Sequence, residues 1–370
     1  MEIKPMNDDD MREHDAPEAI DVDDTPVDRR PSRLTDLSAS RIGTANKCGL
    51  AFKYQYVDQI PALHDSAALM FGSVIHNAVE DWYGPGHTTD ENINQHRELD
   101  LRKLVAERWR EVLPPKILDN LDKVLELERE CEAIASVIMI QRPHLKKPRQ
   151  TKAFMETKAS ADFIEAKIAL GELAQSMNDV KWPQNETPYT AWEKSMTVAD
   201  SIVRAWRDQP RPLVVEEPFM IDFEGYTVRG RIDQVRQDID SNGVLLEPEI
   251  LDIKSSKQPL TPMEAFIQCY LYYEAVKTMD HLPDTDKVAF FLCRLLDDMG
   301  GIKVQRGKID PERHRKLALR LLHSVVEKIN GKHYGPHYGH WCKMCSYKDL
   351  CESEIDLWEG DGTLGTLEIS

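Results

Sequence analysis

Residues 226–256 read YTVRGRIDQVRQDIDSNGVLLEPEILDIKSS. Two apolar runs, 226–238 and 245–256, flank the turn-forming DSNG at 240–243, and a third run, LVVEEPFMIDF (213–223), lies upstream of EGY. Short apolar runs parted by turn residues predict an antiparallel three-strand meander. Residues two apart on a strand share a face, so Asp252 and Lys254 point the same way, among Ile250, Leu251 and Ile253. A carboxylate and a lysine in so apolar a strand are costly to bury without a task, although a surface ion pair would also satisfy the spacing. Asp233 falls on the neighbouring strand. If the two strands pair, Asp233 and Asp252 can converge on one divalent cation, with oxygen ligands suited to Mg²⁺.

Outward from this centre, TPMEAFIQCYLYYEAVKTM (261–279) predicts a helix opened by Thr261, with Pro262 in the first turn and Glu264 three residues on. KVAFFLCRLL (287–296) follows as a strand and 311–330 as a helix. Towards the N-terminus, LSASRIGTANKCGLAFKYQYV (37–57) starts as a Ser-capped helix, and ALMFGSVIHNAVEDWYG (68–84) has helical apolar spacing ended by Gly84. His76 and Glu80, four apart, share a face of that helix, as do Gln268 and Tyr272 on the later one. Residues 95–141, 150–182 and 189–208 carry helical periodicity, punctuated by Pro143, Pro148, Pro183 and Pro188. The expected organisation is an acidic disordered tail (1–35), N-terminal helices with Cys48 and His76 (36–84), a helical insertion (85–210), a core (211–330), a Cys-rich segment (331–355) and an acidic tail (356–370). The class is α/β (α+β), with one core sheet flanked by helices.

The chain has 370 residues and a formal net charge of −17. Residues 1–30 carry −7 and residues 352–370 carry −6, which leaves −4 for the rest. A body so near neutrality can still present a basic groove, so nucleic acid stays open as a partner. No apolar run approaches the length of a membrane span, and MEIKPMNDDDMREHD lacks the apolar core of a secretory signal. No G-x-x-x-x-G-K-[ST] occurs, which argues against a helicase motor within the chain.

Three of the seven cysteines crowd into C-x₂-C-x₅-C at Cys342, Cys345 and Cys351. With Cys48 they supply four thiolates, enough for Zn²⁺ or a [4Fe–4S] cluster, and would join the first helix to the C-terminal segment. Cys131, Cys269 and Cys293 lie in apolar contexts and read as core residues. His333, His337 and His340 precede the cysteine group in a Gly/His/Tyr loop that could serve a metal, though such a loop is more often exposed or near DNA phosphates. Glu216 or Glu217 is a candidate supporting carboxylate, and a surface role fits equally.

Taken in order, S-x-S-R-I with Cys48, G-x-x-x-H-x-x-x-E (Gly72, His76, Glu80), G-R-I-D (230–233), D-I-K-S (252–255), Q-x-x-x-Y (Gln268, Tyr272) and the C-terminal cysteines resemble the RecB-like branch of the PD-(D/E)XK nuclease superfamily. Within it, the likeness is to iron–sulfur, CRISPR-associated-type exonucleases, a type also carried by phages, and it spans about 37–355. The resemblance implies a restriction-endonuclease-like core and a C-terminal iron–sulfur segment. It implies that His76, Asp233, Asp252 and the Ile253 carbonyl hold catalytic Mg²⁺ or Mn²⁺, and that Lys254 positions the attacking water. Gln268 and Tyr272 would brace the site or touch DNA. Cys48, Cys342, Cys345 and Cys351 would hold a [4Fe–4S] cluster. The implied substrate is single-stranded DNA or DNA ends, in the cytoplasm of a bacterium or phage-infected host. A second copy or a recombination or CRISPR protein is the implied partner. The chain departs from the pattern in the long insertion between His76 and Asp233. Two rival readings keep the fold without the chemistry: a DNA-binding recombination or CRISPR-adaptation accessory, and a zinc-stapled binding protein.

Overall fold

The computed structural model describes residues 36–353 apart from 63, 143, 145, 178–179, 184–185, 255–261 and 297–301. The chain divides into residues 1–33 and 34–370, and every described residue belongs to the second unit. The first helices are α1 (Ala39–Lys47) and α2 (Gly49–Phe52), the latter continued by a wider turn to Val57. Strand β1 (Asp65–Ser66) leads into α3 (Ala67–Tyr83), then β2 (Gly86–His87). Next come α4 (Leu101–Val112), α5 (Pro115–Gln141), α6 (Lys152–Met155), α7 (Lys158–Ser176), β3 (Val180–Lys181) and α8 (Pro188–Trp206). After them come β4 (Val214–Phe223), β5 (Tyr226–Arg236), β6 (Glu249–Lys254), α9 (Pro262–Val276), β7 (Lys287–Leu296), β8 (Ile302–Lys308) and α10 (Pro311–Gly331).

The expected meander is present: β4–β5 and β5–β6 pair antiparallel. Glu224 and Gly225 both have positive φ, as a two-residue hairpin loop requires. β6 then pairs parallel with β7, which demands a crossover, and α9 supplies it. The full order is β2-β4-β5-β6-β7-β8, a mixed six-stranded sheet, beside a separate β1–β3 pair. Strand β8 was not expected: IKVQRGK alternates too weakly to stand out as a strand, and it is fixed by antiparallel pairing with β7.

Helices cover both faces of the sheet. Leu251, Ile253, Ala289 and Phe291 pack with α3, α4, α5, α7 and α8 in one apolar cluster. Ile250, Val288, Phe290 and Leu292 pack with α1, α9 and α10 in another. The alternation along β6 therefore decides which helix each chemical residue meets.

Two local readings need correction. The periodic run 95–141 is two helices, because Leu113 precedes Pro114 and takes an extended conformation (φ −78°, ψ 138°). The run 150–182 is likewise broken, by Thr157, whose side chain caps α7 through Ser160 N. Other caps match the sequence: Ser38 accepts from Arg41 N, and Gly84 closes α3 at φ 74°. Thr261 lies outside the described residues. Among the described residues, no helix is long and apolar enough to cross a membrane.

Candidate active site

The ladder between β5 and β6 ends at Gln234–Leu251, one step short of Asp233 and Asp252. There the Asp233 side chain replaces the missing strand partner: its Oδ2 accepts the Ile253 N–H at 2.8 Å. The same Oδ2 lies 3.1 Å from His76 Nε2, so α3 is joined to the sheet at this point. Asp233 and Asp252 are both buried, Asp252 to 1% exposure.

Asp252 and Lys254 share the face of β6 that meets α9. Lys254 Nζ lies 3.0 Å from Asp252 Oδ1 and 2.8 Å from Oδ2. Gln268 bridges the pair. Its Oε1 accepts from Lys254 Nζ at 2.5 Å, and its Nε2 donates to Asp252 Oδ1 at 2.8 Å and to Tyr272 Oη at 2.6 Å. One turn of α9 thus brings Gln268 to the carboxylate and Tyr272 to Gln268, in keeping with their i, i+4 spacing. Tyr272 is buried, its ring edge-on to Phe219 at 5.8 Å between centroids.

Glu216 completes the group. Its Oε1 lies 3.1 Å from His76 Nε2, and Glu80 is close enough to share a cation with the two. Glu216 has φ 54° in the middle of β4, a left-handed conformation that costs a non-glycine residue about 1–3 kcal/mol. The strain sits where a carboxylate is turned onto His76. Sequence reading named Glu216 and Glu217 as alternatives, because strand alternation alone could not foresee the left-handed residue. Glu216 meets His76, whereas the Glu217 carboxylate lies 3.5 Å from His87.

The electrostatics show too many carboxylates for the positive charge present. Burial disfavours charge on His76, but the hydrogen bond and charge of Asp233, with Glu216 and Asp252 behind it, push its pKa up to about 9. Burial raises Glu216 to about 7; His76 opposes the shift, and Asp233 and Glu80 add to it. Burial also pushes the Asp252 carboxyl up, against the pull of Lys254. For Lys254 burial works against the charge, and Asp252 more than offsets it, so the ammonium holds its proton more tightly than a free lysine. Asp252 Oδ2 is buried and has no hydrogen bond of acceptable geometry despite its nearness to Lys254. An imidazole, several buried carboxylate oxygens and one orphaned acceptor are a donor set that fits a divalent cation.

The four C-terminal-site cysteines are free thiols of intermediate exposure. Cys48 joins α1 to α2, Cys342 lies in the turn His340–Met344 with Cys345 directly after it, and Cys351 lies in a helical stretch at 348–353. Burial raises the Cys345 thiol, and the charges of Cys48 and Cys342 add to it. The Tyr338 phenol, raised first by burial, is raised further by Cys351, Cys342 and Cys48. The surrounding segment is docked on the N-terminal helices. Gly49 packs so closely on Tyr334 and Gly335 that a Cβ would lie 3.0 Å from Gly335 O. His337 Nδ1 is 3.0 Å from Lys47 O, and the Tyr347 hydroxyl donates to Ile60 O at 3.0 Å. Cys131 and Cys269 are buried; the Cys293 side chain lies outside the described residues. His333 is exposed and the His340 side chain is not described.

A family model of the PD-(D/E)XK nuclease superfamily matches residues 36–159 and 150–352, together most of the chain. No curated protein matches it significantly in sequence.

Proposed function

The chain belongs to the PD-(D/E)XK nuclease superfamily, and on that premise we propose that it is a Mg²⁺- or Mn²⁺-dependent exonuclease acting on single-stranded DNA or DNA ends, in recombination, repair or phage DNA processing. The observation that carries this reading is the meeting of His76, Asp233, Asp252 and Lys254 at one end of the β5–β6 ladder, with Asp252 Oδ2 left unsatisfied.

His76, Asp233, Asp252 and the Ile253 carbonyl would hold the cation, with Glu216 and Glu80 at hand on the α3 side. Such a cation supplies Lewis acidity at a phosphate oxygen and makes a water more acidic. Lys254 keeps its proton and offers a fixed positive charge where the attacked phosphate gains negative charge. Gln268, bonded to both Lys254 and Asp252, fixes the position of the ammonium against the carboxylate. Tyr272 fixes the Gln268 amide in turn. In the reaction, water oxygen bonds to phosphorus, the P–O ester bond breaks, and the released sugar oxygen takes up a proton.

The four thiols of Cys48, Cys342, Cys345 and Cys351 would hold a [4Fe–4S] cluster that staples the C-terminal segment to α1 and α2. Their one-plus-three spacing, and the seating of the segment that carries three of them against Lys47 and Gly49, support this.

Purified full chain with Mg²⁺ or Mn²⁺, given single-stranded and duplex DNA labelled at either end, tests the reading. Release of mononucleotides or short oligonucleotides progressing from one end is expected. No cleavage of any substrate with either metal overturns it.

A further inference from the structure

Glu217 follows directly on Glu216 yet belongs to a different constellation at the edge of the sheet. His87 on β2, Glu217 on β4 and His281 in the turn between α9 and β7 bring two imidazole nitrogens and a carboxylate oxygen within 4.8 Å of one another. His87 Nε2 lies 3.5 Å from Glu217 Oε1, and the two imidazole rings stand edge-to-face with centroids 4.2 Å apart. Among the described residues, the His87–Glu217 contact is the one ion pair of the group, and no hydrogen bond to a residue outside it draws these three side chains elsewhere.

The frame beneath the group is rigid. Arg211, itself buried, donates to Tyr83 O at 2.8 Å, to Gly86 O at 3.0 Å and to Thr88 Oγ1 at 2.6 Å, which locks the turn that presents His87. Gly84 and Gly86 take the positive φ that this turn needs, and Asn92 donates to His87 O at 3.0 Å. Glu217 is held by the β4–β5 ladder, opposite Ile232. His87 and His281 remain exposed, so water can complete a coordination shell.

We propose that His87, Glu217 and His281 form a second metal site, separate from the candidate active site, for a borderline transition cation of the Zn²⁺ class. Two nitrogens and one oxygen suit Zn²⁺, Ni²⁺ or Cu²⁺, whereas Mg²⁺ wants a shell of oxygens. Ligand atoms around a tetrahedral Zn²⁺ lie about 3.4 Å apart when each bond is about 2.1 Å, close to the 3.5 Å between His87 and Glu217. The bound cation clips the short edge strand β2, where the insertion begins, to β4 and to the turn that feeds β7.

The test titrates chelator-stripped full chain with ZnCl₂ in saturating Mg²⁺, counts bound zinc after dialysis, and follows the melting temperature. His281→Ala is expected to bind one zinc equivalent fewer than the parent. It is expected to lose one equivalent again in a His76→Ala background, which separates this site from the active site. In the His281→Ala single variant the zinc-induced rise in melting temperature shrinks, and Mg²⁺-dependent DNA cleavage is unchanged. Equal zinc content in parent and His281→Ala, or the same thermal shift from Mg²⁺ alone, overturns the proposal. Should the alanine variant misfold, Glu217→Gln keeps the side-chain shape and is expected to weaken zinc binding about tenfold or more; unchanged affinity overturns the proposal equally.

Discussion

The ring of Phe219 lies across the backbone of Gly230, its cross-strand partner, so closely that a Cβ on Gly230 would fall 2.7 Å from the ring Cζ. Phe219 in turn packs edge-on against Tyr272, whose hydroxyl accepts from Gln268. The glycine of the G-R-I-D motif thus sets the position of a ring three contacts away from Asp252 and Lys254, through Tyr272 and Gln268. Gly230→Ala is expected to cost about 1–3 kcal/mol, the usual range for overpacking. Phe219→Leu should recover much of the loss. Urea melts of the two single variants and the double variant check this; an additive double variant would contradict the contact.

Asp252→Ala is expected to remove cleavage, by about a thousandfold or more, while circular dichroism and DNA binding stay near the parent's. Lys254→Ala should lower the single-turnover rate by about a hundred- to a thousandfold, the scale for deleting one group that stabilises transition-state charge, with little change in Mn²⁺ affinity. An unaltered single-turnover rate in either variant would move the chemistry elsewhere.

Glu216→Asn tests the strained residue of β4. Asparagine tolerates the left-handed region and removes a buried carboxylate. The metal-free variant at pH 8 is expected to gain about 1 kcal/mol in a denaturant melt, and its Mn²⁺ affinity is expected to fall. A less stable metal-free variant would show that the left-handed conformation carries no net strain.

The charge cluster sets a pH dependence for metal uptake. His76 is protonated up to about pH 9, and a cation needs its neutral ring. Mn²⁺ affinity should therefore rise between pH 6 and pH 9, by up to about tenfold per unit for each displaced proton. His76 alone stabilises the metal-free fold fully below its unfolded pKa of about 6.5, and that contribution is lost as pH rises towards 9. The stabilisation brought by Mn²⁺ should consequently grow with pH, which thermal melts at fixed metal measure. A flat or inverted profile would remove His76 from the ligand set.

Cys48→Ala leaves three thiolates and is expected to lose iron and visible absorbance together, and to melt at a lower temperature. Cys131→Ala, in a buried site away from these thiols, should keep its colour. Full iron content in Cys48→Ala, or zinc in place of iron in anaerobically purified parent, would exclude the cluster.

The meander, the crossover helix and the pairing of Asp252 with Lys254 were legible because they follow from local periodicity, which a strand and a helix impose on neighbouring residues. The placing of Tyr272 beside Gln268 followed from helical spacing in the same way. Strand β8 was hidden because its sequence is mostly polar and its pairing with β7 decides it. The roles of Glu216 and Glu217 were undecidable from alternation, since one left-handed residue separates the directions in which they work. The His87–Glu217–His281 group left no motif at all: its members meet only because the sheet edge and two turns bring distant segments together.

The docking of residues 334–347 on α1, α2 and the loop after them has a temporal consequence. The partners in the His337–Lys47 contact are 290 residues apart. During synthesis the face of Gly49 and the Cys48 thiol stay uncovered until nearly all the described chain has left the ribosome. Contacts of such long range close late and slowly. The corner around α1 and α2 is therefore completed late, although its own residues are made early.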